Sequence, residues 1–176
     1  MTAYLHMLST ANALIAWSVI YLTLIRPRLA DDPQTLLKWL IAPHLFRYLG
    51  LVALYPALFP VRELGFAESY LAQIAWGDFA AGLLALAALI ALAVKARGAL
   101  ALVWIFNVFG VLDFAHAGLQ MALPLAADPA ALGPLGWVLL TVYLPMLMVS
   151  HFAIFHALTR PRRAGLQKEE AKMRLA

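Results

Sequence analysis

The sequence predicts an all-α fold, a polytopic bundle of five transmembrane helices, and three observations carry that expectation. Hydrophobic residues make up 64% of the 176 residues and charged residues 12%, against roughly 45–50% and about 25% in a soluble domain. Five apolar stretches each reach the ~20 residues that a helix needs to cross the hydrocarbon core. The Lys and Arg residues between them alternate between dense and sparse, as in the loops of a multi-pass membrane protein. One domain is expected at this length.

The first stretch covers residues 3–25 and stops at the charged segment from Arg26 to Asp32. It is too long for the apolar region of a signal peptide and has no basic residue before it, so it reads as a retained helix with an exported N-terminus. The second covers residues 36–59. Pro43 within it can open a helix at its first turn or kink one in its interior. The alternative to a span from Leu36 is therefore a short interfacial helix over 33–42, with Trp39 at headgroup level, and a span that begins at Pro43. The third stretch is 70–94. The fourth, 99–123, follows a short turn from Lys95 to Gly98. The fifth is 135–158. Residues 1–160 thus form the transmembrane domain and 161–176 a basic tail.

Orientation follows from the basic residues. Arg26, Arg28 and Lys38 attend the first loop, and Lys95 and Arg97 the third. The tail holds Arg160, Arg162, Arg163, Lys168, Lys172 and Arg174. The second loop has only Arg62 and the fourth has none. The expected topology is N-out/C-in. The outer loops are acidic at Glu63, Glu68 and Asp128 and punctuated by Pro124, Pro129 and Pro134. A pI near 9.6 does not imply nucleic acid here, because the charge sits at helix ends and in one tail expected to contact anionic headgroups. With no cysteine, disulfides, thiolate metal sites, iron–sulfur clusters and cysteine nucleophiles are excluded.

Several ionisable residues fall inside the spans, where each costs about 2.5–3.5 kcal/mol at mid-helix. The second span has His44 and Arg47, and the third has Asp78. The fourth has Asn107, Asp113 and His116, with Gln120 near its end. The fifth has His151, and His156 near its end. At about 1.5 Å per residue, Asp78, Asp113 and His116 share one half of the bilayer, Arg47 lies near its middle, and His44 and His151 lie toward the other side. The pairs His44/Arg47 and Asp113/His116 are each three apart and share a helix face. One elongated polar core is expected, in which Arg47 contacts Asp113 or Asp78. Gly110, on the stripe of Asn107 and Asp113, and Gly77, beside Asp78, are expected to let helices approach closely. His6 reads as a wetted interface histidine and His156 as a headgroup contact. Trp39, Tyr70 and Trp137 read as interface anchors.

Three chemistries fit such a core. Near a single Arg47, Asp78 and Asp113 are not both expected to carry charge, which supplies a proton donor and an acceptor. His116 would shuttle the proton, with Arg47, Asn107, His151 and His44 binding a lipid, isoprenoid or quinone-like molecule. A redox or metal centre is the alternative: His44 and His151 as bis-histidine haem ligands, or Asp113, His116 and Asp78 around a divalent metal. A proton or ion relay is the third, weakened by the lack of an internal repeat. The ion pair also reads as a purely structural lock. No nucleophile motif, phosphate loop or zinc-protease signature is present.

The segments from His44 to Gly50, from Trp76 to Asp78 and from Val103 to Asp113 resemble a group of short, uncharacterised bacterial inner-membrane proteins. The resemblance covers the second to fifth helices. It implies a multi-pass protein of the bacterial plasma membrane and carries no mechanism. The leading expectation is binding of a hydrophobic small molecule, with acid–base conversion as its catalytic form. A haem or metal protein is one alternative, and a non-catalytic subunit or assembly factor of a membrane complex is the other. Membrane lipids, a membrane partner and a second copy of the chain are the partners expected.

Overall fold

A computed structural model describes residues 2–55, 57–58, 65–127 and 133–160. Among them the chain is helical with no strand, and five helices are long and apolar enough to cross a membrane. They are α1 (Tyr4–Leu29), α2 (Pro33–Leu54), α3 (Glu68–Ala93), α4 (Ala99–Ala127) and α5 (Gly133–Thr159). The expectations placed on Arg62, Glu63, Asp128, Pro129 and the basic tail from 161 onward lie outside the described residues, as do the side chains of Gln120 and Pro124.

Prolines shape three of the helices without ending them. In α1 a π turn at Tyr21–Ile25 precedes Pro27. In α5 another at Leu139–Tyr143 precedes Pro145. A wider turn gives room for a residue that lacks an N–H and crowds the preceding turn. The helix of α1 therefore runs past the expected stop at residue 25 to Leu29.

In α2 the change is to tighter winding. Pro33–Ile41 is α-helical and Ala42–Leu54 continues it as a 3-10 helix with Pro43 in its first turn. The winding changes at residue 42, next to Pro43, where the alternative reading divided this stretch. Helix begins at Pro33 and passes through Pro43 unbroken. Thirteen residues of 3-10 helix at about 2.0 Å rise reach ~26 Å, where an α-helix reaches ~20 Å. The winding lengthens a helix that is otherwise short. It also has three residues per turn, so side chains at i and i+3 eclipse. His44, Arg47, Gly50 and Ala53 therefore form one straight row facing the bundle, and His44, Arg47 and Ala53 are buried.

Small residues let α2 come close. Ala75, Ala81, Gly82, Ala85 and Ala88 make a buried face on α3, and α3 packs along the 3-10 part of α2 on one side and along α4 on the other. The reversal between α3 and α4 is tight. Lys95 takes the left-handed conformation (φ 55°), and the Ala96 and Lys95 N–H groups return to the Ala91 and Leu92 carbonyls, a Schellman closure that usually employs glycine.

Two apolar clusters result. One joins Leu37, Leu40 and Ile41 with Ala88, Leu92, Val103, Phe106 and Ile154. The other joins Ala53, Tyr70, Leu71, Ala75 and Met121. The polar residues lie between them. Helix α1 stands apart, with no buried residue. It rests on α5, where the Trp17 indole N–H donates to the Val142 carbonyl, inside the π turn, at 3.1 Å.

At the start of α2, Asp32 Oδ1 accepts from the Thr35 N–H at 3.0 Å. Hydrogen bonding to Thr35 holds the Asp32 carboxyl below the usual carboxylate range. A folded value below the unfolded one means that the cap is complete above about pH 4 and lost as pH falls through the folded value. Protection of the Thr35 amide against hydrogen exchange is therefore expected to persist in Asp32→Asn and to fall several-fold in Asp32→Ala. Wild-type protection at this amide should fall on acidification below about pH 4, but no further than the level of Asp32→Asn, which also keeps a neutral acceptor oxygen.

Candidate functional site: a caged arginine beneath an apolar cavity

Arg47 is fully buried, although its side chain is the longest and most polar in the row. A guanidinium withdrawn from water needs partners for its N–H groups. Its Nε donates to Asp78 Oδ1 at 2.8 Å. Its Nη2 lies 2.7 Å from the same oxygen and 2.5 Å from Asp113 Oδ2. Its Nη1 lies 3.4 Å from His151 Nε2. The Phe114 ring covers one face of the guanidinium, 4.2 Å from Cζ to the ring centroid. The expectation that Arg47 meets one of the two aspartates is thus half of what is found: it meets both, and so ties α2 to α3, α4 and α5.

The surrounding bonds fix which nitrogen of His151 carries the proton. The Asn107 amide donates to the His151 carbonyl at 3.2 Å. Its Oδ1 is then the acceptor 2.7 Å from His151 Nδ1, so Nδ1 carries the proton and Nε2 offers a lone pair to Arg47. His44 Nε2 lies 2.5 Å from Ser150 Oγ, whose hydroxyl is also 3.0 Å from the Leu147 carbonyl, and the buried His44 Nδ1 has no partner. The His151 imidazole is neutral in this pattern.

Glycines make the room. A Cβ on Gly50 would overlap the Asp78 side chain, and one on Gly77 the Asp113 carboxylate. A Cβ on Gly110 would sit 2.5 Å from His151 Cε1 and 3.0 Å from Arg47 Nη1. Gly77 and Gly110 were expected to bring helix backbones together. They hold polar side chains instead, one glycine to each.

Both carboxylates retain a little exposure, 21% for Asp78 and 9% for Asp113, and both face a cavity of about 750 Å³. All five helices line it. Its walls are apolar, among them Leu14, Leu71, Val111, Leu140, Leu147 and Met148. Its polar floor is Asp78, Asp113, Tyr143 and His151. The Tyr143 hydroxyl donates to the Pro43 carbonyl at 2.9 Å.

Of the residues singled out from the sequence, Arg47, Asp78, Asp113, Asn107, His151 and His44 form one connected cluster. His116 does not join it. It is exposed and its ring packs against Tyr70, 5.7 Å between centroids. Tyr70 is buried rather than an interface anchor, because its hydroxyl donates to the Ala117 carbonyl at 2.9 Å and pins α3 to α4. Trp39 is 63% exposed, as an anchor would be, whereas Trp137 packs edge-on against His6. His6 itself lines the cavity. Ser150, Phe114, Tyr143, Gly50 and Thr10 were missed. Gly50, three residues from Arg47, had a signal in its spacing.

The cluster does not fit the redox alternative. The His44 and His151 rings are in contact, with centroids 4.3 Å apart, which leaves no room for a porphyrin between them. Among the described residues no three His, Asp or Glu side chains converge as metal ligands.

Residues 5–159 match the family described as domain of unknown function DUF8737. The chain belongs to that family. The matched segment contains the whole cage and every residue lining the cavity, so the site lies in the family's domain and not in an appended segment. No curated protein and no solved structure matches the chain.

The glycines supply a test with internal controls. Gly50→Ala, Gly77→Ala and Gly110→Ala are each expected to lower stability by about 1–3 kcal/mol through overpacking. Gly82→Ala, whose Cβ would meet its nearest neighbours at 3.6 Å, should be neutral or stabilising by up to about 1 kcal/mol through helix propensity. Denaturation of the purified variants in detergent ranks them.

Proposed function

We propose that this protein is a multi-pass protein of the bacterial plasma membrane, N-out/C-in, that binds a hydrophobic small molecule above Arg47, Asp78 and Asp113. The observation that carries the reading is the cavity of about 750 Å³ with apolar walls and a confined polar floor. Ligand sites are of this kind: roughly 300–1,000 Å³, mostly apolar, with a few placed polar groups. A lock between helices needs the ion pairs but no such space beside them. The two carboxylates that face the space are also the groups that would move a proton to or from a bound molecule, which is how acid–base conversion would arise at the same floor. On the proposed topology the cavity lies in the outer half of the bilayer, where apolar molecules enter from lipid.

The cage and the ligand are separable by mutation. Arg47→Met alone should cost about 3–5 kcal/mol, because buried carboxylates lose their partner. Arg47→Met combined with Asp78→Asn and Asp113→Asn should recover much of that loss. Mass spectrometry of lipid extracts from the purified proteins should then find an apolar molecule in the wild type and none in the recovered triple variant. A wild type with no such molecule, or a triple variant that keeps it, would overturn the reading.

Topology has its own test. Single cysteines are informative in a chain that has none. One at Ala67 should react with a membrane-impermeant maleimide added to intact cells or spheroplasts, and one at Ala96 should react only after lysis. The opposite pattern would reverse the orientation.

A further inference from the structure

We propose that the ligand of this cavity is a monocationic amphiphile whose ammonium head meets Asp113 and Asp78; the proposal rests on the binding function above and names the class of molecule. It follows from what the floor presents. Arg47 is fully buried and does not line the cavity. Its N–H groups are turned toward Asp78, Asp113 and His151, and Phe114, which does line the cavity, covers its face. The Tyr143 hydroxyl hydrogen is committed to the Pro43 carbonyl, and His151 Nδ1–H is committed to Asn107. What remains on this floor is carboxylate oxygen, which only accepts. A phosphate, sulfate or carboxylate head would find no donor there. An ammonium or hydroxyl head would.

Charge decides between those two. Two carboxylates face one guanidinium, and the hydrogen bonds leave His151, the histidine that touches it, neutral. The ionised cluster therefore carries one uncompensated negative charge in an apolar enclosure, where a lone charge is costly. A single cationic head closes that count. A proton can close it too, so the ligand series is the deciding measurement.

The test uses the full-length protein in nanodiscs of neutral phosphatidylcholine with three probes of one chain length: dodecylammonium, dodecanol and dodecanoate. Saturable binding is read by native mass spectrometry. Dodecylammonium should bind at least about tenfold more tightly than dodecanol, since a charge-assisted hydrogen bond exceeds a neutral one by about that factor, and dodecanoate should bind least. Asp113→Asn should bring dodecylammonium down to the level of dodecanol. Thr10→Val, which leaves the floor untouched, should retain the preference for the ammonium. If Asp113→Asn does not fold, the order of the three probes on the wild type decides alone. Equal binding of dodecanol and dodecylammonium would overturn the cationic head. Dodecanoate binding as tightly as either would overturn the donor head while leaving a binding cavity. Absence of saturable binding by all three would overturn the binding function itself.

Discussion

One guanidinium with no access to water governs this bundle. Arg47 reaches from α2 and must find its hydrogen-bond partners on α3, α4 and α5, because the surrounding interior offers no solvent. Such burial is poor evidence of net stability, since desolvation offsets much of the attraction. Its effect is on uniqueness. Asp78, Asp113, His151 and Phe114 can all touch the same planar group in one arrangement of four helices, and sliding any helix by a turn would leave a charge unpaired. The straight row of the 3-10 segment points Arg47 at these partners, and the three glycines clear the volume they occupy.

The same constraint divides the molecule along its axis. On one side of the polar layer, Leu37, Leu40, Ile41, Phe106 and Ile154 are packed against one another. On the other, α1 stands off the four-helix core and its wall encloses space. Helix α1 contributes nothing to the arginine cage, and its Trp17 bond to Val142 is with α5 alone. The charged cluster is thus held by four helices, and the volume above it is completed by a fifth whose attachment is separate.

The five long apolar helices and the convergence of the polar residues were legible in the sequence because a chain this apolar leaves its few ionisable groups little but one another to pair with. Arg47, Asp78 and Asp113 had no acceptable destination except one another. Winding was not legible. Almost every residue of the 3-10 segment other than His44, Arg47 and Gly50 is apolar, so its pattern does not tell a period of 3.0 from one of 3.6, and Pro43 marked a disturbance without saying whether the helix would break, kink or tighten. His116 keeps its spacing of three from Asp113, but its ring rests on Tyr70 and makes no bond to the cage. His6 was misjudged because its environment depends on α5 through Trp137, which no local pattern reveals.

The two π turns each place one more residue in a turn than regular winding would. An α-helix advances about 100° per residue, so an extra residue resets the azimuth of everything that follows it. In α5 the turn at Leu139–Tyr143 separates Trp137, which packs on His6 of α1, from Ser150 and His151, which bond to His44 and Arg47. The widened turn works as a phase shifter between two interfaces that one uninterrupted helix would present in a different angular relation. Loss of a single residue there would turn the remainder of α5 by more than a quarter of a circle. It would carry His151 out of the core while leaving the length and hydrophobicity of the span almost unchanged.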